Sequence, residues 1–234
     1  MIVFDVDGTL IGGDEEDWAS FNAAFHHAAG FALDAEFYRS LEEVTAQAIV
    51  HEALIGYSMD EKRRIERVVC QEHLRRLTEA HERHPGALRP TDGALALLKY
   101  LKDRSVPVAI ASGGWVETTT FRLRAAGIPF EGLPMVTSSE FYSRSEIIAA
   151  AVTRAGGTLE EATYVGDGIW DFRATQKLGI SFIGVGRERG RLRDAGASYI
   201  SETLHPYEFC RVKRSIGRPN HPTEPLSPSL GGSA

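Results

Sequence analysis

Two carboxylates stand two residues apart near the start of the chain, in Asp5-Val6-Asp7-Gly8-Thr9-Leu10. A second acidic pair, Asp167 and Asp171, falls in Gly166-Asp167-Gly168-Ile169-Trp170-Asp171. Between the pairs lie a hydroxyl and a guanidinium. Ser112 ends the apolar run Val108-Ala109-Ile110-Ala111, and Arg144 sits in Phe141-Tyr142-Ser143-Arg144-Ser145-Glu146. Each group follows a stretch that reads as a β-strand, so one sheet edge would gather four carboxylates, a hydroxyl and a cation. Crowded carboxylates repel one another unless one takes up a proton or a cation binds among them. A hard divalent ion held by oxygen ligands answers that repulsion, and Mg²⁺ fits best where a phosphate shares the site.

Hydrophobic period and turn residues indicate the elements that must position these groups. Ile2-Val3-Phe4 reads as a short buried strand that runs into a turn at Gly8. Gly12 and Gly13 predict a flexible joint. From Asp14 to about Arg83 the pattern is helical, with Trp18, Phe21, Ala24 and Phe25 on one stripe. Ile65, Val68, Val69, Leu74 and Leu77 form a second stripe, and Asp14, Asp34 and Asp60 are the predicted helix N-caps. Residues 14–85 therefore read as an all-helical insertion of roughly four helices, closed by Pro85, Gly86 and Pro90.

Beyond it, strands are expected at 106–111, 133–137, 163–166 and 180–185, with a short one at 198–200. Helices are expected at 91–103, 115–126, 145–155 and 169–178, the first carrying Leu95, Leu98 and Leu101 on one side. This alternation predicts an α/β fold: a parallel sheet between two helical layers, with ligands bound at the carboxyl ends of its strands. The α/β core would comprise residues 1–13 and 86–214. Residues 215–234, rich in Pro, Ser and Gly, are expected to form a disordered tail.

Composition narrows the class. With 234 residues, 43% hydrophobic and 25% charged, the chain can bury a large core without staples. A net charge of −6 argues against a nucleic-acid partner. No apolar run approaches the ~18 residues that a membrane span needs, and the N-terminus does not read as a signal peptide. Cys70 and Cys210 match no metal-ligand spacing and predict reduced thiols in a cytoplasmic protein. Asp5 to Glu16 has the length of a calcium loop, but the strand that precedes it does not fit a helix–loop–helix. Gly184-Val185-Gly186 with Gly190 misses the dinucleotide fingerprint by one position and reads as the loop after a strand.

Taken together, the first acidic motif, the strand-ending Ser112 and the second acidic motif resemble motifs one, two and four of the haloacid dehalogenase superfamily. Order and separation match over roughly residues 1–205. The helical stretch 14–85 is similar to the cap inserted between motifs one and two in phosphoglycolate-phosphatase-like and β-phosphoglucomutase-like members. The resemblance implies a Rossmann-like core and an aspartyl-phosphate mechanism. Asp5 would be the nucleophile and Asp7 the acid and base. Ser112 and Gly113 would bind the phosphate. Asp5, Asp167 and Asp171, with the backbone carbonyl of Asp7, would hold Mg²⁺. The family usually places a Lys at motif three, and this chain has none between Lys102 and Lys177. Arg144 is the positional candidate, although Arg and Lys are not equivalent phosphate ligands. Lys177 is expected on the surface.

The expected activity is hydrolysis of a small phosphorylated metabolite. A β-phosphoglucomutase-type phosphomutase is the alternative, and a catalytically silent binding protein on the same fold ranks below it. A phosphonatase would need a cap lysine, and Lys62, in a charged run, is the only one. A homodimer is compatible with the sequence. Arg39, Thr45 and His51 are cap positions from which a substrate could be touched.

Overall fold

The structure, a computed structural model, describes residues 1–12, 14–187 and 189–216. The expectations for Gly13 as a joint, for the Asp14 side chain as a cap and for the tail beyond residue 216 fall outside the described residues. The chain opens with β1 (Ile2–Phe4) and the two-residue β2 (Ile11–Gly12). Four helices follow: α1 (Asp14–Ala29), α2 (Ala35–Ser40), α3 (Ala46–Ala53) and α4 (Met59–Arg83). Next come β3 (Arg89–Pro90), α5 (Ala94–Asp103), β4 (Val108–Ser112), α6 (Val116–Ala125) and β5 (Met135–Thr137). The chain continues through α7 (Arg144–Arg154), β6 (Thr163–Gly166), α8 (Ile169–Leu178) and β7 (Ser181–Gly184). It closes with α9 (Arg189–Asp194) and α10 (Pro206–Ser215).

The expected parallel sheet is present, in the order β5-β4-β1-β6-β7. Its short strands are mostly apolar because both faces are covered. Side chains still alternate. Ile2, Phe4, Ile110, Val165 and Ile183 pack on one face with α5, α6 and α10. Val3, Ala109, Ala111, Tyr164 and Phe182 pack on the other with α7, α8 and α9. The chain runs from β1 to β4 and β5 on one side, then crosses to β6 and β7 on the other. The order therefore reverses at β1, which opens a crevice at its carboxyl end. Phe4 pairs with Ile110 and with Val165, so Asp5, Ser112 and Asp167 emerge on that same edge.

The helices between β2 and β3 build a core of their own. Phe21, Phe25, Ile49, Val50, Leu54 and Val69 are buried together, and α1 lies along α4. Trp115, at the N-terminus of α6, inserts into this cluster and donates its indole N–H to Glu66 at 2.9 Å. The two chain crossings are zipped together, with Ile11 opposite Pro90 and Gly12 opposite Arg89. No helix among the described residues is long and apolar enough to cross a membrane.

Several sequence expectations are corrected. Ser58, not Asp60, caps α4: it forms a capping box with Glu61, and that reciprocal pairing satisfies two orphan donors at once. Asp34 caps α2 as expected. The buried stripe of α4 is Ile65, Val69, His73 and Leu77, while Val68 is 40% exposed. In α5, Leu97 joins Leu98 and Leu101 in the core and Leu95 faces solvent. Residues 198–200 form no strand; Ile200 makes a single bridge to Gly184. Ser215 belongs to α10, a helix with no counterpart in the sequence reading. Its Phe209 is fully buried against Phe4.

Candidate active site

Asp5 leaves β1 with its backbone N–H donated to Val165 at 2.9 Å and its side chain almost wholly buried. Arg144, the first residue of α7, donates from Nη1 to Asp5 Oδ1 at 2.9 Å. Its Nε lies 3.3 Å from Asp171 Oδ1. The Arg144 side chain is only 6% exposed. A capping box of Ser143 and Glu146 fixes the start of α7, and Glu43 accepts the Arg144 backbone N–H at 3.0 Å. Asp171, in the first turn of α8, is fully buried and accepts from Gly168 N–H at 3.2 Å and from the Tyr164 hydroxyl at 3.4 Å. It therefore caps its helix and faces Asp5 at the same time.

Asp167 completes the acidic group: Asp5, Asp167 and Asp171 each offer an oxygen within 4.8 Å of the others. Two glycines make room for it. A Cβ on Gly8 would lie 2.0 Å from Asp167 Oδ2, and one on Gly186 would lie 2.7 Å from Asp167 Cβ. Both glycines have positive φ, +76° and +79°, so substitution would meet strain as well as a clash. The Gly8 N–H donates to the Ile11 carbonyl at 2.8 Å, closing the turn.

The electrostatics are those of a site short of positive charge. Burial, reinforced by Asp171, pushes the Asp5 carboxyl well above its ordinary range despite Arg144. Burial also raises Asp171, against the opposing pull of Arg144. Burial by itself would lower the Arg144 pKa, yet Asp171 and Asp5 hold it above its ordinary value. Three converging oxygen donors with two carboxyls pushed upward suit a hard divalent cation such as Mg²⁺.

Asp7 belongs to a different cluster. Its Oδ1 lies 2.5 Å from Nη2 of Arg122, a buried side chain on α6. Arg122 Nη1 lies 3.0 Å from Asp17 Oδ1 on α1, and His73 Nε2 on α4 lies 3.1 Å from that same oxygen. Burial works to raise the Asp17 carboxyl, but Arg122 and His73 together hold it below the ordinary range.

The remaining sequence candidates divide. Gly113 lines the cavity at Asp5, and a Cβ there would come within 2.8 Å of the Arg144 guanidinium. Ser112 is completely buried; its hydroxyl accepts from Gly114 N–H at 3.1 Å and pairs with Thr119 at 3.2 Å. That places Ser112 beneath the cavity floor, bracing the Gly113–Gly114 turn. Thr45 caps α3 and lines the cavity, whereas His51 is held by Glu66 at 2.8 Å. Lys62 donates to the His51 carbonyl at 2.7 Å and lines neither cavity described here, so the lysine a phosphonatase would need is turned away. Lys177 is at the surface, as expected, bridging to Glu42 and Glu43.

The cavity at Asp5, about 360 Å³, takes in Asp5, Asp7, Arg122 and Arg144. An outer one of about 520 Å³ adds Tyr38, Arg39, Ile169 and Arg173. Trp18, Trp170 and Arg191 line both. Sequence reading missed Arg122, Asp17, His73 and Trp170. None of the four left a local signal: Arg122 is buried while Arg124, two residues on, is exposed.

A sequence model of the family described as Haloacid dehalogenase-like hydrolase matches residues 2–185, and the chain belongs to that family. No curated protein matches it. Among solved structures it is similar to a hydrolase from Pseudomonas syringae, with 21% identity and a TM-score of 0.72, covering 92% of this chain and 98% of that one. CbbY from Rhodobacter sphaeroides, solved in complex with phosphate, has 20% identity and a TM-score of 0.70 over 88% of this chain and 94% of that one. A mutant of CbbY carries xylulose-(1,5)bisphosphate. The beta-phosphoglucomutase of Clostridium difficile has 15% identity and a TM-score of 0.71 over 91% and 95%. At these identities the likeness shows the fold.

Proposed function

We propose that this haloacid dehalogenase-like hydrolase is a Mg²⁺-dependent phosphomonoesterase that acts on a small phosphorylated metabolite through an aspartyl-phosphate at Asp5. One observation carries the reading. The buried Asp5, flanked by the Arg144 cation and two further carboxylates, shares a cavity with a second carboxylate, Asp7, set apart on its own cation. Two carboxyls in different electrostatic settings are what a nucleophile and an acid–base partner require.

Asp5 attacks phosphorus while Asp7 gives its proton to the departing ester oxygen; water then attacks the acyl phosphate and Asp7 takes the water proton. Arg144, already on Asp5, is placed to bind a phosphoryl oxygen as the bond forms. Asp5, Asp167 and Asp171, with the Asp7 carbonyl, would hold Mg²⁺, which supplies charge neutralisation at the transferring group. The rest of the substrate would extend between Trp18 and Trp170 into the outer cavity, where Arg39 and Arg173 favour an anionic or hydroxylated partner group. The neighbours that carry phosphate and a sugar bisphosphate are compatible with such a ligand.

The test is phosphate release from a panel of phosphorylated metabolites with Mg²⁺ and with chelator. Turnover should need the ion and vanish in Asp5→Asn. A silent panel would refute the reading. Phosphoryl exchange that requires a bisphosphate, with little phosphate released, would instead identify a phosphomutase.

A further inference from the structure

We propose that Arg122 is the positioning residue for Asp7, and that Asp17 and His73 of the helical insertion lock Arg122 in place, so that docking of the insertion completes the acid–base half of the site. The proposal rests on the phosphomonoesterase reading above.

Three observations carry it. First, Arg122 is 3% exposed, on a stretch of α6 whose other buried residues are Thr118, Thr119 and Leu123. A buried guanidinium is costly unless carboxylates meet it. Second, its two terminal nitrogens serve carboxylates from two regions: Nη2 reaches Asp7 in the motif-one turn, and Nη1 reaches Asp17 on α1. A rigid planar fork that holds one carboxylate fixes where the other arm points. Third, the far side is braced. His73 is 4% exposed, lies on Asp17 Oδ1 and packs edge-on against Phe21 and close to Trp115. Asp7 itself has a side chain 28% exposed on a turn, a setting in which a carboxylate without an anchor samples several rotamers.

The chemistry assigns each atom. Asp5 forms a bond to phosphorus as the bond from phosphorus to the ester oxygen breaks, and that oxygen takes the Asp7 proton. In the second half-reaction, water forms the new bond to phosphorus, the bond from phosphorus to Asp5 breaks, and Asp7 recovers a proton from the water. Since Oδ1 faces Arg122, the transferred proton is placed on Oδ2. In kcat/KM, which covers the steps up to release of the leaving group, misplacing that oxygen by an ångström costs rate where the leaving group needs the proton.

This gives a readout that a merely structural arginine would not move. kcat/KM is measured for an alkyl phosphate, whose alkoxide must be protonated, and for p-nitrophenyl phosphate, whose phenolate leaves without help. In Arg122→Met the alkyl ester should lose roughly 100-fold and the aryl ester less than about fivefold. Arg122→Lys should recover part of the alkyl rate, and Asp17→Asn should show the same selectivity with a loss of roughly tenfold. Equal losses on both esters in the Arg122 variants would overturn the positioning role. If Arg122→Met does not fold, Asp17→Asn decides: an unselective loss or no loss overturns the proposal. Asp5→Asn must abolish both esters alike, and a wild-type protein inactive on both would refute the phosphomonoesterase reading on which the proposal stands.

Discussion

Asp5 and Asp7 are separated by one residue, yet their carboxylates are held by different regions of the molecule. Asp5 is held by Arg144 on α7, which also meets Asp171 on α8; the side chains of this corner come from the sheet-bearing core. Asp7 is held by Arg122, whose second arm ends on Asp17 and thence on His73, both in the helical insertion. Asp5 is thus fixed by parallel strand pairing and two buried helix starts. Asp7 is held through a contact with the helical stretch whose two ends are joined by the β2–β3 pairing.

The sharpest way to break this contrast is to remove each arginine in turn. Arg144→Ala leaves Asp5 and Asp171 buried together without a cation and should cost about 3 kcal/mol of stability, read as a lower urea midpoint at unchanged m. Added Mg²⁺ should restore part of it. Arg122→Ala should cost less, because the Asp7 and Asp17 side chains are 28% and 19% exposed and can rehydrate. Equal costs would mean that the two corners are equally rigid.

Acidity separates the corners next. Asp5 and Asp171 have raised pKa values, so the folded protein binds their protons more tightly than the unfolded chain does. The chelated protein should therefore gain stability from these groups as pH falls toward the ordinary carboxylate range. Asp17 is lowered, so its contribution is present above the ordinary carboxylate range and is lost as pH falls below about 4. Thermal midpoints across pH for wild type, Asp171→Asn and Asp17→Asn isolate the two. Saturating Mg²⁺ should flatten the upper part of the wild-type profile, adding about 2.7 kcal/mol at one hundred times Kd. An unchanged slope with Mg²⁺ would place the ion elsewhere.

The smallest effect is expected at the surface. Lys177 is 51% exposed and links α8 to Glu42 and Glu43 of the insertion. Lys177→Ala should change stability by less than about 1 kcal/mol, as should high salt, because solvent screens such pairs. A larger loss would show that surface charge, rather than the buried Asp17–Arg122 contact, seats the helical segment.

Local pattern made the core legible. Thr163–Gly166 and Ile169–Leu178 lie where the sequence puts them, because an apolar run closed by Gly-Asp-Gly permits little else. The meeting of Asp5, Asp167 and Asp171 followed from strand ends in a parallel sheet, and Arg144 from its place at the start of a helix. The β2–β3 pairing was not legible, since two-residue strands carry no period. Of the buried stripe of α4, Ile65, Val69 and Leu77 were legible and His73 was not, because a polar ring carries no apolar period and only packing against α1 selects its face.

The sequence by itself determined which carboxyls would meet at the strand ends of a parallel sheet and that a helical segment would be inserted after the first strand. Those properties are written in residue type, spacing and turn-forming glycines. Only the tertiary structure decided what holds each carboxyl: that Arg144 reaches Asp5, that Ser112 turns beneath the floor, and that Arg122 joins Asp7 to Asp17 and His73. The reason is physical. The direction of a buried charge is set by which helices pack around it, and that packing depends on contacts between residues far apart in the chain.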